Sequence, residues 1–106
     1  MVNRIFPKAE LNRLIQAYKK KLEAMDIPVD RMFLYGSYAK NHPHPGSDVD
    51  LCVISSAFKD CIDATMMLYK LRDDDELMMS PTAFSPDTFV DENPLAWEIK
   101  QTGVAV

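Results

Sequence analysis

The chain has 106 residues, of which 47% are hydrophobic, enough for one compact domain with a real core. Its net charge of −4 argues against a broad nucleic-acid surface, which needs clustered Lys and Arg. No apolar stretch approaches the roughly 20 residues of a membrane-spanning helix, and Met1–Pro7 lacks the apolar run of a signal peptide. We therefore expect a single domain over residues 1–106 in the cytoplasm, without membrane contact.

The first half of the chain predicts one long helix and two strands around a loop. Apolar residues recur at helical spacing, alternating segments indicate strands, and a run with two prolines and a glycine excludes regular structure. In chain order the segments are helix 8–25, strand 29–35, a Gly-Ser turn at 36–37, one or two helical turns at 38–40, a loop at 41–46 and strand 47–54.

The second half of the chain predicts two further helices, a short helical segment and a third strand. In chain order the segments are helix 60–72, an acidic turn at 73–75, strand 77–84, a short helix from 85–87 and a helix from 93–94 that ends at Gly103. Pro81 implies an edge position or a bulge for the third strand, because proline donates no ladder hydrogen bond. The pattern predicts an α/β (α+β) fold, a small mixed β-sheet with helices packed mainly on one face.

The strongest functional signal is a pair of carboxylates at the start of the second strand. Asp48 and Asp50 are two residues apart, so alternation points both to the same face of the sheet. Two ionised carboxylates repel each other and persist most easily with a cation between them. Mg²⁺ prefers such oxygens together with substrate phosphates. We interpret both as metal ligands and catalytic residues; the alternative is a turn residue followed by an exposed aspartate.

A Gly-Ser turn precedes the carboxylates by ten residues and offers backbone N–H groups to an anion. A phosphate can approach Gly36 closely because no Cβ intervenes, and Ser37 adds a hydroxyl donor. Lys40 lies on the same side and can reach a phosphate oxygen, although a solvated lysine fits equally well. Ser47, next to the carboxylate pair, is a further candidate nucleotide contact. The constellation predicts a site for a nucleoside triphosphate and its metal.

Two histidines in the intervening loop invite a zinc interpretation, which we disfavour. His42 and His44 have no Cys partner at zinc-finger spacing and no third His. Exposed loop residues are the better interpretation, and near a phosphate site such residues can tune affinity below about pH 6.5.

The run GSYAKNHPHPGSDVDL, residues 36–51, resembles the signature of the minimal nucleotidyltransferase family in the polymerase-β-like superfamily. That signature is Gly-Ser, a spacer of about ten residues and Asp-x-Asp. The tail at 84–104 is also similar to the family's strand, short helix and Asn-Pro-Leu helix, so the resemblance covers most of the chain. It implies the nucleotidyltransferase fold, Mg²⁺ coordination by Asp48 and Asp50, and triphosphate contacts from Gly36 and Ser37.

The resemblance also implies a third carboxylate on the next long strand, where the sequence departs from the family. In the family this group deprotonates the acceptor hydroxyl and completes the second metal site. Counting back from Ser85, the position falls at Ser80, and serine is a poor base and a weak ligand. Asp75 and Glu76 lie four or five residues earlier, about 13 Å or more along a strand. Loss of a general base typically lowers a rate by about 10²–10⁴.

Two hypotheses about function follow from the resemblance. The first is an enzyme that transfers an NMP, with AMP the first candidate, from ATP or another nucleoside triphosphate to a hydroxyl acceptor. Family relatives of this size often pair with a small all-helical HEPN protein as antitoxin and toxin, and adenylylate a tyrosine of that partner. The second is a nucleotide-binding or protein-interaction module, catalytically impaired because of Ser80. Aminoglycoside-modifying enzymes and templated polymerases fit less well, because 106 residues leave no room for a second domain.

Overall fold

The computed structural model describes residues 4–106; the first three residues of the N-terminal segment considered above lie outside it. The elements in chain order are helix α1 (Lys8–Ala24), strands β1 (Arg31–Tyr35) and β2 (Val49–Ile54), helix α2 (Cys61–Lys70), a 3₁₀ turn (Asp74–Glu76), strand β3 (Met79–Phe84), helix α3 (Pro94–Thr102) and strand β4 (Val104–Ala105). The three long helices and three main strands are those predicted, with ends shifted by one or two residues. Within the described residues, no helix is long and apolar enough to cross a membrane.

Within residues 4–106, the sheet has four strands in the order β3-β2-β1-β4. Strand β2 runs parallel to β3 and antiparallel to β1, and β4 runs antiparallel to β1. The predicted mixed sheet and α+β fold class are therefore confirmed. The edge position of β3 also confirms the expectation for Pro81, whose missing N–H is tolerated at an edge.

An apolar core lies on each face of the sheet. On one face, Tyr18 of α1 and Leu68 of α2 are fully buried together with Leu51 of β2. On the other face, Ile99 of α3 packs in a smaller cluster that contains Cys52 of β2. Two of the three helices thus share one face, as predicted, and the third covers the opposite face.

The short segments after β1 and β3 each form a hydrogen-bonded turn; the first is the helical turn predicted at 38–40, whereas the second replaces the predicted short helix. After β1, the Lys40 N–H donates to the Gly36 carbonyl at 3.1 Å, which makes one helical turn. Asn41 follows at φ +59°, a left-handed conformation that stops the turn from propagating. After β3, the Thr88 N–H donates to the Ser85 carbonyl at 3.1 Å, and the Thr88 hydroxyl accepts from the Ser85 N–H.

Strand β4 was not predicted from the sequence. It follows Gly103, pairs with Phe33 and Leu34 of β1, and contains only two residues. A strand this short has no alternation from which it can be recognised, because period-2 patterns need about four residues. Its formation depends on the neighbouring edge of β1.

The acidic turn before β3 is tied to α1 by a lysine. Lys21 Nζ contacts the Glu76 carboxylate and lies 2.9 Å from both Asp73 Oδ2 and the Leu71 carbonyl oxygen. Burial alone would lower the Lys21 pKa, but the hydrogen bonds and negative charges of Glu76 and Asp73 raise it. Glu76 is 3% exposed and also accepts from the Asp73 N–H. The Glu76 carboxylate therefore stabilises the fold, and it is not available as the third carboxylate near Ser80.

Substitution of the bridging lysine should destabilise the protein. Lys21→Met leaves the buried Glu76 carboxylate without its cation, and we expect a loss of about 2 kcal/mol in unfolding free energy near neutral pH. Because the Lys21 pKa is raised, its contribution is complete below the ordinary value of 10.5 and fades at higher pH. Urea denaturation measures both effects. Lys20→Met, at the exposed neighbour, should change stability by less than about 0.5 kcal/mol; equal losses in the two variants would contradict the role of Lys21.

Candidate active site

The two carboxylates lie at the start of β2, next to the turn that follows β1. Asp50 pairs with Tyr35, the last residue of β1, so the chain places Gly36 directly beside it. Asp48 precedes the strand and is exposed, whereas Asp50 is half-buried. The antiparallel pairing of β1 and β2 therefore brings the Gly-Ser turn and the carboxylate pair together, although ten residues lie between Ser37 and Asp48 in the sequence.

The electrostatics of this pair suit a cation. Burial, together with the negative charge of Asp48, raises the Asp50 pKa. No ion pair within residues 4–106 involves either carboxylate. A divalent cation between them would offset both the burial and the repulsion.

The donor set fits a metal that takes part of its coordination from the substrate. Within the described residues, no cluster of three His, Cys, Asp or Glu side chains is placed to hold a metal. A metal held by Asp48 and Asp50 would take its other ligands from phosphate oxygens and water. Mg²⁺ bound with nucleotides is commonly held in this way.

Gly36 meets two structural requirements at once. Its φ of +76° lies in the left-handed region, and a Cβ at this position would overlap Oδ2 of Asp50 and lie 3.2 Å from Cγ. The sequence suggested glycine for the approach of a phosphate; the structure shows that the Asp50 carboxylate itself fills the space beside the turn. The glycine therefore sets the position of the carboxylate.

Gly36→Ala should therefore displace Asp50 and strain the turn. We expect a loss of about 1–3 kcal/mol in unfolding free energy, from the positive φ and the steric overlap together. Chemical denaturation measures the loss. Gly46→Ala provides the comparison for backbone strain, since Gly46 also has a positive φ, +86°. A variant at Gly36 as stable as the wild type would show that the turn does not hold the carboxylate in place.

The other predicted nucleotide contacts have different surroundings. Ser37 is partly buried in the turn and Lys40 is exposed. Ser47 is buried; its Oγ accepts from the His44 N–H at 2.9 Å, so it closes the loop. His42 and His44 are both exposed. The nucleotide roles of Ser37, Lys40 and Ser47 stay predictions.

The position expected for a third carboxylate lies directly beside Asp50. Ser80 is the parallel-register partner of Asp50, so the two side chains share one face of the sheet on adjacent strands. The strand pairing thus confirms that Ser80 lies beside the carboxylates, as expected from counting back from Ser85. A serine at this position gives the site a hydroxyl where the family resemblance implies an acid.

A tyrosine that the sequence analysis did not single out contacts this position. The Tyr69 hydroxyl of α2 lies 2.6 Å from Ser80 Oγ, and the Arg72 guanidinium lies 4.6 Å from the centre of the Tyr69 ring. Farther along the same face, the Tyr35 hydroxyl lies 3.2 Å from Thr82 Oγ1. Helical periodicity gave no signal for Tyr69, because it does not show which strand a helix packs against.

A cleft of about 350 Å³ opens beside Asp48. Its walls include the loop residues Gly46 and Ser47 and the apolar side chains of Leu77 and Met78. Small-molecule sites commonly measure about 300–1,000 Å³ and combine apolar walls with a few polar groups. A space of ligand size therefore adjoins Asp48.

Comparison with known proteins establishes the family. Residues 11–101 match the sequence model of the family described as Nucleotidyltransferase domain. Because this match covers most of the chain, the protein belongs to the nucleotidyltransferase domain family. Such domains generally transfer a nucleoside monophosphate and use a nucleoside triphosphate with a divalent metal.

The fold is similar to that of a solved protein. A crystal structure from Sulfolobus solfataricus, of a protein described as a nucleotidyltransferase, superposes with a TM-score of 0.62 and covers 88% of this chain and 76% of its own. The sequence identity is 12%, so the likeness concerns the fold alone. No curated protein sequence matches the chain.

Proposed function

We propose that the protein is a Mg²⁺-dependent nucleotidyltransferase that transfers an NMP to a hydroxyl group of a partner protein. AMP is the first candidate for the transferred group. The observation that carries the proposal is the convergence of the Gly36 turn with Asp48 and Asp50 at the start of β2. A radius of gyration of 13.2 Å, against about 13 Å for a compact chain of this size, supports one domain as the working unit.

In this proposal the residues divide into metal ligands and phosphate contacts. Asp48 and Asp50 would hold Mg²⁺, which when bound supplies charge neutralisation for the phosphates. The backbone at Gly36 and the Ser37 hydroxyl would hold the triphosphate, and the exposed Lys40 would reach an outer phosphate oxygen. The proposed nucleotide contacts are Gly36, Ser37, Lys40 and Ser47.

The nature of the acceptor follows from the residue beside Asp50. Ser80 cannot act as a general base, so the acceptor hydroxyl has to release its proton with little help. A phenol, with a pKa of about 10, releases it far more readily than an aliphatic alcohol. A tyrosine acceptor therefore suits this site best. The resemblance to minimal nucleotidyltransferases supports a small all-helical HEPN-type partner as its source, in an antitoxin–toxin pair.

A second candidate function rests on the same serine. If turnover without a third carboxylate falls by about 10²–10⁴, the protein would act as a nucleotide-binding or protein-interaction module. It would then neutralise a helical partner through contact alone.

A transfer assay with ATP labelled at one phosphate distinguishes these functions. The protein and Mg²⁺, together with any small all-helical protein encoded next to it, are incubated with α-phosphate-labelled or γ-phosphate-labelled ATP. The proposal predicts label on protein from the α position only. Label from the γ position would indicate a kinase, and nucleotide binding without any transfer would favour the binding module. Absence of both binding and transfer would contradict both functions.

A further inference from the structure

One tyrosine differs from the other three in its access to solvent. The chain has four tyrosines, and three of them are buried with their hydroxyls engaged in the fold: Tyr18, Tyr35 and Tyr38. Tyr69 is 37% exposed. It is therefore the most exposed tyrosine of the chain, and its hydroxyl contacts Ser80 instead of a buried part of the core.

The Tyr69 hydroxyl lies next to the proposed metal site. It is 2.6 Å from Ser80 Oγ, and Ser80 pairs with Asp50 across strands that lie about 4.8 Å apart. One hydrogen bond and one strand spacing thus separate the phenol from the carboxylate. An acceptor hydroxyl in phosphoryl-group chemistry has to occupy such a position, close to the group that neutralises the phosphate.

The ring of this tyrosine is held in place. The Arg72 guanidinium covers its face at 4.6 Å from the ring centre, and the same guanidinium donates to the carbonyl oxygens of Leu77 and Met79 at 2.7 and 3.1 Å. Arg72 thus links the Tyr69 ring to the start of β3, where Ser80 lies. Preorganisation of this kind lowers the entropy lost when an acceptor meets its electrophile, and the positive charge favours a nearby phosphate.

We propose that Tyr69 is a self-modification site: the protein transfers a nucleoside monophosphate onto its own Tyr69 hydroxyl. The inference rests on the proposed function, since it uses the same nucleotide and metal. Tyr69 Oη forms a bond to the α-phosphorus while the bond from that phosphorus to the bridging oxygen breaks, and pyrophosphate leaves. The phenol proton leaves to water, because the Ser80 hydroxyl is too weak a base to accept it. The products are a tyrosine phosphodiester and pyrophosphate.

Mass spectrometry of the intact protein tests the inference. After incubation with ATP and Mg²⁺, we expect one added AMP per chain, on the peptide that contains Tyr69. EDTA should prevent the addition. Tyr69→Phe keeps the ring over Arg72 and should abolish the addition, whereas Tyr35→Phe, which removes a buried hydroxyl on the same face, should not. Peptide mapping of the wild type identifies the modified residue even if a variant folds poorly.

Two further readouts define what would overturn the inference. Labelling within one molecule should proceed at a rate per chain that does not change on tenfold dilution; a rate that falls with dilution would mean transfer between copies and would overturn it. AMP on another residue would also overturn it. ATP binding and transfer to an added acceptor, without modification of Tyr69, would refute this inference and leave the proposed function standing. Absence of Mg²⁺-dependent ATP binding would refute both.

Discussion

Asp50→Asn is expected to abolish Mg²⁺-dependent nucleotide binding and transfer while it raises the melting temperature of the ligand-free protein. Replacement of a group that only orients a metal ligand already lowers affinity or activity by about 10–100-fold, so loss of a ligand should lower transfer by more than about 100-fold. The amide removes a half-buried charge that Asp48 repels. A gain of about 2–5 °C is the expected size for a change of this kind in a chain of roughly 100 residues.

The stability gain of this variant should depend on pH in a defined direction. Burial and Asp48 raise the Asp50 pKa, so the folded state holds this proton more tightly than the unfolded state. Wild-type stability therefore falls as pH rises through the folded pKa. The advantage of Asp50→Asn should be full near neutral pH and should disappear below the ordinary value of 3.8. Melting curves at a series of pH values, without divalent metal, measure it.

Asp48→Asn is the matched comparison for this prediction. It removes the second proposed ligand from an exposed position, so it should abolish metal-dependent binding with a smaller gain in melting temperature. Full transfer activity in either variant would show that the carboxylates do not hold the metal.

Ser80→Asp is expected to raise metal affinity and to accelerate nucleotidyl transfer by about one to three decades, on the order of a general-base contribution. Since Ser80 pairs with Asp50, the introduced carboxylate would share its face of the sheet. It would also accept a hydrogen bond from the Tyr69 hydroxyl, which already lies beside Ser80. Calorimetric titration with Mg²⁺ and a transfer assay with α-labelled ATP measure the two effects.

Ser80→Asn separates the effect of charge from that of side-chain size. The amide is nearly isosteric with the carboxylate but is neither a base nor a good metal ligand, so it should not accelerate transfer. Without metal, Ser80→Asp should be the less stable of the two, because it adds a second negative charge near Asp50. A destabilised and inactive Ser80→Asp, or a wild type that already transfers AMP at the rate of the variant, would contradict the limiting role of Ser80.

The sequence predicted the elements of the site better than the contacts between them. Strand alternation and the Gly-Ser spacing led to Asp48 and Asp50, and counting back from Ser85 led to Ser80, which the register with Asp50 confirms. The inference to Asp48 and Asp50 uses local periodicity along one strand, whereas the position of Ser80 comes from the family resemblance. The metal and nucleotide roles of these residues stay predictions.

Other features depend on packing between distant segments and could not be predicted. The contact between Tyr69 and Ser80 joins a helix to the strand that follows it, and periodicity does not fix how the two dock. The steric demand at Gly36 comes from the Asp50 side chain, which the antiparallel pairing of β1 and β2 brings close. Strand β4 forms only because β1 presents a free edge to it.

Thermal unfolding with ATP, in Mg²⁺ and in EDTA, tests the central claim most directly. Ligand that binds the folded state alone stabilises it by mass action, by about 2.7 kcal/mol at 100 times the dissociation constant. If Asp48 and Asp50 hold the metal that bridges the phosphates, ATP should raise the melting temperature in Mg²⁺ and leave it nearly unchanged in EDTA. Equal stabilisation by ATP in EDTA, or none in either condition, would contradict a nucleotide site built on these two carboxylates.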